Sequence, residues 1–156
     1  MAQKFLEVSM KRLMVVGALF VSFWSTAIAG PTEEALQVLG KWTKAFTESD
    51  VDSLVNLYAP DALFLGTGSK MVVLAPAEMR KYFEKALLSN KPRGATLVSY
   101  SSMVLSDTAV VVTGLDTLTG VRDGNPYSTS GRVTFVVAKR GPDWKIVHFH
   151  RSAMPN

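Results

Sequence analysis

The chain has 156 residues, which is enough for one domain and short for two. It contains no cysteine, and this excludes disulfides, thiolate nucleophiles and zinc–cysteine sites. The formal net charge is +4, but the basic residues are scattered among acidic ones. The basic stripe that nucleic-acid-binding proteins need is therefore missing, and we expect no nucleic-acid partner.

An apolar segment near the N-terminus predicts an export signal. Residues 10–12 form a short basic region, residues 13–23 are nearly all apolar, and residues 27–29 have the small-x-small cleavage pattern. We expect a signal peptide over residues 1–29, cut after Ala29, with Met10 as an alternative start. A retained membrane anchor is the other reading, although the apolar run is shorter than the ~20 residues that cross a bilayer. Cleavage would leave residues 30–156, with a net charge of +2, in the periplasm or outside the cell without membrane contact.

Three helices are predicted at the start of the remaining chain. Thr32 is a suitable N-cap for the first helix, and apolar residues recur at helical spacing over residues 35–46. Asp50 is expected to cap a second, shorter helix that is stopped by Pro60. Pro76 is a favoured first residue for the third helix.

The rest of the chain has the alternating pattern of strands. A short strand over residues 62–65 leads to residues 66–70, which we interpret as a hairpin or pocket-rim loop because the spacing of a phosphate-binding loop is missing. Four strands follow at roughly residues 95–105, 108–119, 127–139 and 144–151. The fold class is therefore α+β, with three N-terminal helices packed on a strongly curved antiparallel or mixed sheet that encloses a cavity.

Two stretches carry a family resemblance. Trp42, Phe46 and Asp50 lead into residues 58–62, and the chain ends on the strand of residues 144–152. With the order of the elements, they resemble the nuclear transport factor 2-like (NTF2-like) superfamily. Within it, the chain is similar to the association domain of calcium/calmodulin-dependent protein kinase II and to stand-alone bacterial relatives, including polyketide-cyclase-like and SnoaL-like proteins.

The resemblance implies a cone-shaped fold with an internal pocket, and homodimers or larger rings formed through the outer face of the sheet. It implies activities that range from none to isomerase, cyclase and dehydratase chemistry. We do not expect the kinase-hub role to transfer, since no kinase domain precedes the association-like module. A dinucleotide fingerprint is absent, so no cofactor is expected, and an oxidoreductase role has no support from the residues.

His148 and His150 are the two histidines of the chain, and alternation in a strand puts them on one face. We predict that they line the pocket as acid–base or ligand-contact residues, because imidazole titrates near neutral pH. The alternative is a structural pair that fixes the last strand or lies at a subunit interface. Metal binding is a weaker alternative, because two histidines supply only part of a coordination shell, and no metal is assigned.

Arg132 and Asp116 are the charged candidates in the strands. Arg132 interrupts an apolar strand, and we predict that it points into the pocket and binds a carboxylate; the alternative is a solvent-facing arginine. Asp116 is its natural partner or a general base, unless it is simply solvated. Tyr58 is the aromatic residue that we expect in the pocket wall, whereas Trp42, Phe64 and Tyr82 are more typical of a core.

These residues predict a self-associating domain that binds a small organic, anionic ligand through Arg132, Tyr58, His148 and His150. The first alternative is a cofactor-independent isomerase, cyclase or dehydratase, with His148, His150 or Asp116 as catalytic acid or base. The second is a purely structural oligomerisation hub. The sequence does not identify the ligand or the ring size.

Overall fold

The structure is a computed structural model that describes residues 29–89 and 91–155. The predicted signal peptide lies outside these residues except for Ala29. Within the described ranges, none of the helices has the length and apolar character that a membrane crossing requires.

Helices α1 (Pro31–Glu48) and α2 (Val51–Asn56) precede the first strand, and α3 (Pro76–Leu87) follows it. Helix α1 begins two residues earlier than predicted, so Gly30 is its N-cap and Thr32 lies inside the first turn. The predicted cap of α2 is confirmed, since the Asp50 side chain accepts a hydrogen bond from the Ser53 backbone N–H at 3.0 Å. The three predicted helices are present, but α2 ends at Asn56 rather than at Pro60, and residues 58–60 already belong to the first strand.

Five strands form one mixed, open sheet in the order β1-β5-β4-β3-β2. Strand β1 runs parallel to β5, and the other neighbours pair antiparallel. The strands are longer than predicted because the hairpins between β2, β3, β4 and β5 are tight. Their bounds are β1 (Tyr58–Leu65), β2 (Gly94–Ser106), β3 (Ala109–Arg122), β4 (Asn125–Arg140) and β5 (Asp143–Ala153).

The inner face of the sheet packs against the helices and forms the core. Phe64, Phe149 and Phe135 lie side by side across β1, β5 and β4, and successive ring centroids are 5.2 Å and 5.0 Å apart. Trp42 of α1 packs on this row, with its ring centroid 5.6 Å from that of Phe149. This aromatic contact holds α1 against the centre of the sheet and fixes the inner face.

The outer face of the sheet carries the alternate residues, which are exposed or half-buried. Strand register arranges them in three rows across the sheet. We call these rows together the outer face. The first row is Leu63, His148, Val136, Val111 and Met103; the second is Leu65, His150, Thr134, Thr113 and Ser101; the third is Ser152, Arg132, Leu115 and Ser99.

Candidate functional site

A cavity of about 380 Å³ lies between the inner face of the sheet and helices α1 and α3. This volume is at the small end of the range that small-molecule sites occupy. The cavity extends to the β3–β4 hairpin, where Arg122 and Ser130 are exposed at its rim. A cavity between the sheet and the helices was expected from the sequence, but with other lining residues.

Most of the cavity wall is apolar. Helix α1 supplies Trp42 and Phe46, helix α3 supplies Phe83, and β5 supplies Phe149. These side chains point inward because they belong to the apolar stripes of their helices and to the inner face of the sheet. The wall therefore suits the hydrocarbon or aromatic body of a ligand.

Arg151 is the charged residue at the floor of the cavity, and its partner is Asp116. The Nε atom of Arg151 donates to both carboxylate oxygens of Asp116, at 3.0 Å to Oδ1 and 2.7 Å to Oδ2. The two residues are only 6% and 4% exposed. The carboxylate of Asp116 therefore balances the charge of Arg151 inside the protein, away from solvent.

Gly131 makes room for this ion pair. Asp116 on β3 and Arg151 on β5 lie on either side of β4, and Gly131 is directly opposite Asp116. A Cβ atom at Gly131 would come within 2.5 Å of Arg151 Cζ and 2.7 Å of Asp116 Oδ1. The pair can bridge across β4 because this position has no side chain.

The loop after β1 completes the hydrogen bonding of Arg151. Thr67 Oγ1 accepts from Arg151 Nη1 at 2.9 Å and donates to the Arg151 backbone carbonyl at 3.2 Å. Arg151 Nη2 donates to the backbone carbonyl of Thr129 at 3.2 Å. The loop is a hairpin, closed by the backbone pair Phe64–Val73. Of the two interpretations of residues 66–70, a hairpin or a pocket-rim loop, the structure has a hairpin whose Thr67 and Gly68 line the cavity, and the loop fixes Arg151 in place.

Arg93 is a second arginine in the cavity wall, and its environment is different. Its Nη2 donates to the Tyr127 hydroxyl at 2.6 Å, and its Cζ lies 5.4 Å from the centroid of the Phe46 ring. Its Nε and Nη1 atoms are buried and have no hydrogen-bond partner. Unmet buried donors are costly, and those on a charged group cost more than neutral ones. Arg93 is therefore the group of the cavity that most needs an acceptor.

Arg122 lies at the rim, with its Cζ 4.9 Å from the centroid of the Tyr127 ring. Tyr127 thus contacts two guanidinium groups, Arg122 over its ring and Arg93 at its hydroxyl. Within residues 29–89 and 91–155, none of the side chains that line the cavity is an aspartate or a glutamate. With Arg151 neutralised by Asp116, the two uncompensated positive charges of the wall belong to Arg93 and Arg122.

Tyr82 adds a neutral polar group to the wall. Burial raises the pKa of its phenol above the ordinary value, so the hydroxyl keeps its proton at neutral pH. The backbone N–H of Gly68 donates to this oxygen at 3.5 Å, which leaves the hydroxyl hydrogen available to another acceptor. The cavity accordingly combines apolar walls, hydrogen-bond donors and excess positive charge.

The structure corrects the predicted direction of three site residues. His148, His150 and Arg132 share one face, as predicted, but it is the outer face, and none of them lines the cavity. The reason is that the neighbouring residues Phe149 and Arg151 are buried on the inner side, so alternation turns the histidines outward. Roles for these three residues inside the cavity have no geometric basis.

His148 is half-buried on the outer face. Burial, and secondarily the nearby charge of His150, lowers the pKa of His148 below the ordinary value, against a hydrogen bond with the Leu63 backbone that raises it. Neutral His148 is thus favoured near neutral pH. Across residues 29–89 and 91–155, no cluster of three or more histidine, aspartate or glutamate side chains could hold a metal ion.

Asp116 and Tyr58 point inward, as predicted, but neither lines the 380 Å³ cavity. Asp116 is paired with Arg151 rather than with the predicted partner Arg132. Tyr58 is a core residue whose hydroxyl accepts a hydrogen bond from Trp42 Nε1 at 2.8 Å. Burial raises the pKa of Tyr58 well above the ordinary value. It acts as a fixed structural acceptor.

Arg93, Arg122 and Arg151 were not predicted as site residues. The sequence does contain an indication of a buried Arg151, because Arg151 shares the strand face of Phe149. An arginine beside a core aromatic residue needs a buried carboxylate. Arg93 precedes β2 in an irregular segment, and Arg122 ends β3 at a turn. Neither position has a periodicity that indicates a direction.

Solved structures with the same architecture define the fold as NTF2-like. A Xanthomonas campestris protein named as a proposed calcium/calmodulin-dependent protein kinase II association domain is 29% identical, with a TM-score of 0.75 over 82% of this chain and 91% of that one. An NTF2-like superfamily protein from Salmonella enterica serovar Typhimurium is 20% identical, with a TM-score of 0.71 over 79% and 90% of the two chains. A Streptomyces avermitilis NTF2-like protein named as a proposed dehydratase is 14% identical, with a TM-score of 0.72 over 81% and 98%.

The family assignment follows from the sequence comparison with protein-family models. The SnoaL-like domain model matches residues 35–156, which include α2, α3, all five strands and most of α1. The chain therefore belongs to the SnoaL-like domain family of the NTF2-like superfamily. No curated protein matches the chain at a significant level.

Proposed function

We propose that this protein is an exported, self-associating domain that binds a small organic anion in the cavity between the sheet and the helices. The observation that carries the ligand proposal is the charge of the cavity wall. Two guanidinium groups without a carboxylate partner lie in a mostly apolar cavity that no acidic side chain lines. An anion with an apolar body satisfies both the charge and the wall.

A thermal-shift panel of small carboxylates, with the corresponding alcohols as neutral controls, tests this proposal. A ligand that binds only the folded state raises the melting temperature with its concentration. We expect saturable stabilisation by carboxylates and none by alcohols. An Ala86→Phe variant fills the cavity without changing any charge and should abolish the effect. Equal shifts in wild type and Ala86→Phe would contradict binding in the cavity.

The outer face supports the proposal of self-association. Leu63, Leu115 and Met103 are 46%, 38% and 64% exposed on it. The β1 hairpin extends the apolar surface, because Val72 and Leu74 flank the backbone pair Phe64–Val73 and are also exposed. Exposed apolar surface of this kind marks an interaction site on a soluble protein. The resemblance to the association domain makes a second copy the proposed partner.

Light scattering on a matched pair of variants tests this interface. Leu63→Lys puts a charge in the first row of the outer face, beside His148. Leu88→Lys makes the same change at the C-cap of α3, where Leu88 is 53% exposed and lies outside the three rows of the outer face. We expect a dimer or larger ring for wild type and Leu88→Lys, and monomers for Leu63→Lys. A wild-type monomer at micromolar concentration would overturn the proposal.

Export is the part of the proposal that depends on residues 1–29. N-terminal sequencing of the protein recovered from the periplasm or medium should give Gly30 as the first residue. Recovery of a full-length, membrane-bound chain would instead favour the anchor interpretation.

An isomerase, cyclase or dehydratase remains the second candidate, and the buried carboxylate beside the cavity is the observation that favours it. Asp116 is 4% exposed, and the neighbouring cavity wall supplies Tyr82 as a proton donor. However, both oxygens of Asp116 are engaged by Arg151. To act as a base, Asp116 would have to release Arg151 before it could contact a substrate. Ligand binding without catalysis is therefore the first proposal, and an enzyme is the second.

A further inference from the structure

The ligand class can be narrowed by the differences among the three arginines of the cavity. We propose that the site takes an aromatic carboxylate, with the carboxylate on Arg93 and the ring against the wall formed by Trp42, Phe46 and Phe149. This inference rests on the proposed ligand-binding function and adds the chemistry of the ligand and the residue that selects it.

Arg93 is the receptor for the charge because its buried donors are unused. Arg151 already donates to Asp116, Thr67 and Thr129. Arg122 is exposed at the rim, where water satisfies its donors. Arg93 has one N–H on Nε and two on Nη1 that are buried without an acceptor. Because Nη1 is buried, the guanidinium has to turn toward the cavity to reach a carboxylate oxygen. The charge-assisted hydrogen bond formed there removes the cost of the unmet donor.

The body of the ligand follows from the surroundings of Arg93. Its guanidinium lies over the ring of Phe46, and the centroid of that ring is 5.2 Å from the centroid of Trp42. The next aromatic side chain along the wall is Phe149, whose centroid is 5.6 Å from that of Trp42. A flat ring stacked on this aromatic surface keeps its carboxylate close to Arg93. The 380 Å³ volume suits a ligand of one or two rings.

A phosphate fits the same site less well. Phosphate groups are held by several donors at once, frequently at a helix N-terminus. Helix α3 begins at Pro76, and its first turn does not line the cavity. Arg93 has three N–H groups, on Nε and Nη1, that are buried without an acceptor, and Tyr82 supplies a single further hydroxyl. This number of donors matches one carboxylate.

Isothermal titration of the protein with four probes tests the inference. Phenylacetate carries both features, phenylacetamide lacks the charge, acetate lacks the ring, and phenyl phosphate replaces the carboxylate. We expect phenylacetate to bind at least tenfold more tightly than the other three, since it alone offers both a carboxylate for Arg93 and a ring for the aromatic wall. Equal binding of phenylacetamide, or tighter binding of acetate or phenyl phosphate, would overturn the inference.

Substitution of Arg93 tests the assigned residue. Arg93→Gln should weaken phenylacetate binding at least tenfold and leave phenylacetamide unchanged, and Arg93→Lys should restore part of the affinity. Arg80→Gln is the matched control, because Arg80 lies on α3 outside the cavity and pairs with Asp52. Unchanged phenylacetate affinity in Arg93→Gln would refute the role of Arg93. If Arg93→Gln does not fold, the wild-type comparison of phenylacetate with phenylacetamide still decides the ligand class.

Failure of this inference is distinguishable from failure of the proposed function. If a non-aromatic carboxylate binds and Ala86→Phe blocks it, the cavity is an anion site and the aromatic assignment is wrong. If no carboxylate in the wider panel binds, both are wrong.

Discussion

The two faces of β5 use the same short stretch of sequence in opposite ways. Phe149 and Arg151 point inward, where Phe149 joins the aromatic core and Arg151 is neutralised by Asp116. His148 and His150 point outward beside Leu63 and Leu65. The comparison shows that a charged side chain of β5 is buried where a carboxylate on another strand can pair with it. An arginine that can bridge to a carboxylate is buried, while two histidines without a nearby carboxylate remain outside.

The largest expected effect comes from breaking the inner ion pair. Asp116→Asn leaves Arg151 buried without a counter-charge, and we expect the free energy of unfolding to fall by about 3–5 kcal/mol. Urea denaturation measures the change. Asp61→Asn is the matched control, since it breaks the exposed pair with Arg140 at 3.2 Å. We expect little change there because solvent screens exposed ion pairs.

The double variant Asp116→Leu/Arg151→Met sharpens this result. Replacing both partners by apolar residues removes the unpaired charge, and such replacements are frequently neutral. We expect the double variant to be more stable than Asp116→Asn alone. A double variant that is equally destabilised would show that Arg151 contributes through Thr67 and the loop rather than through the ion pair.

The next largest effect on stability is expected from filling the space that Gly131 leaves for the Asp116–Arg151 ion pair. Gly131→Ala forces a methyl group against Arg151 and Asp116, and we expect a loss of about 1–3 kcal/mol in the free energy of unfolding. Gly40→Ala is the control, because Gly40 is exposed in α1 and its added Cβ would meet nothing within 4 Å. This control should stabilise the protein by roughly 0.5–1 kcal/mol. Similar losses at both positions would contradict the crossing of the ion pair at Gly131.

The same comparison shows what the sequence can predict here. Hydrophobic periodicity and turn residues identified the three helices, the four-strand meander and the shared face of His148 and His150. They did not show which face of β5 is inner, because that depends on the register with β4 and on the aromatic row through Phe149. Alternation divides a strand into two faces, and only tertiary packing decides which one is covered.

The positions of the arginines in the cavity wall could not be predicted from the sequence, for a different reason. Arg93 receives its contacts from α1 and β4, at Phe46 and Tyr127. These contacts are distant in sequence, and no local pattern encodes them. Asp116 was predicted to pair with Arg132 or to act as a base, but its partner is Arg151, two strands away on β5. A single sequence therefore indicates that a charge needs a partner without identifying that partner.

A smaller effect on stability is expected when one polar contact on the inner face of the sheet is removed and compared with one on the outer face. Tyr58→Phe removes the buried acceptor of Trp42 Nε1, and we expect a loss of about 1–3 kcal/mol because that donor stays buried and unmet. Thr134→Val removes the outer contact between the hydroxyls of Thr113 and Thr134, which are 2.9 Å apart. Water can replace this contact, so we expect almost no change in the urea midpoint. A larger loss for Thr134→Val would indicate that the outer face is covered by another copy.

The smallest effect is a pH dependence that belongs to the outer face. The pKa of His148 in the folded chain is lowered below its ordinary value of 6.5 by burial and by His150. Between that value and the lowered pKa, the unfolded chain binds more protons than the folded chain. The contribution of His148 to stability is therefore fully present above pH 6.5 and is lost as the pH falls through the lowered pKa.

Urea midpoints at pH 7.5 and pH 5.5 measure this loss, and His148→Gln should show a smaller difference than wild type. The charged group that lowers the pKa of His148 is His150 on its own strand, while β1 contributes the Leu63 backbone and β4 places the uncharged Val136 opposite. His150→Gln should reduce the effect only in part, because burial is the larger cause of the lowered pKa. If a second copy covers the outer face, His148 becomes more buried, and the pH difference should grow with protein concentration. A difference that is the same in wild type and His148→Gln would assign the pH dependence to the carboxylates instead.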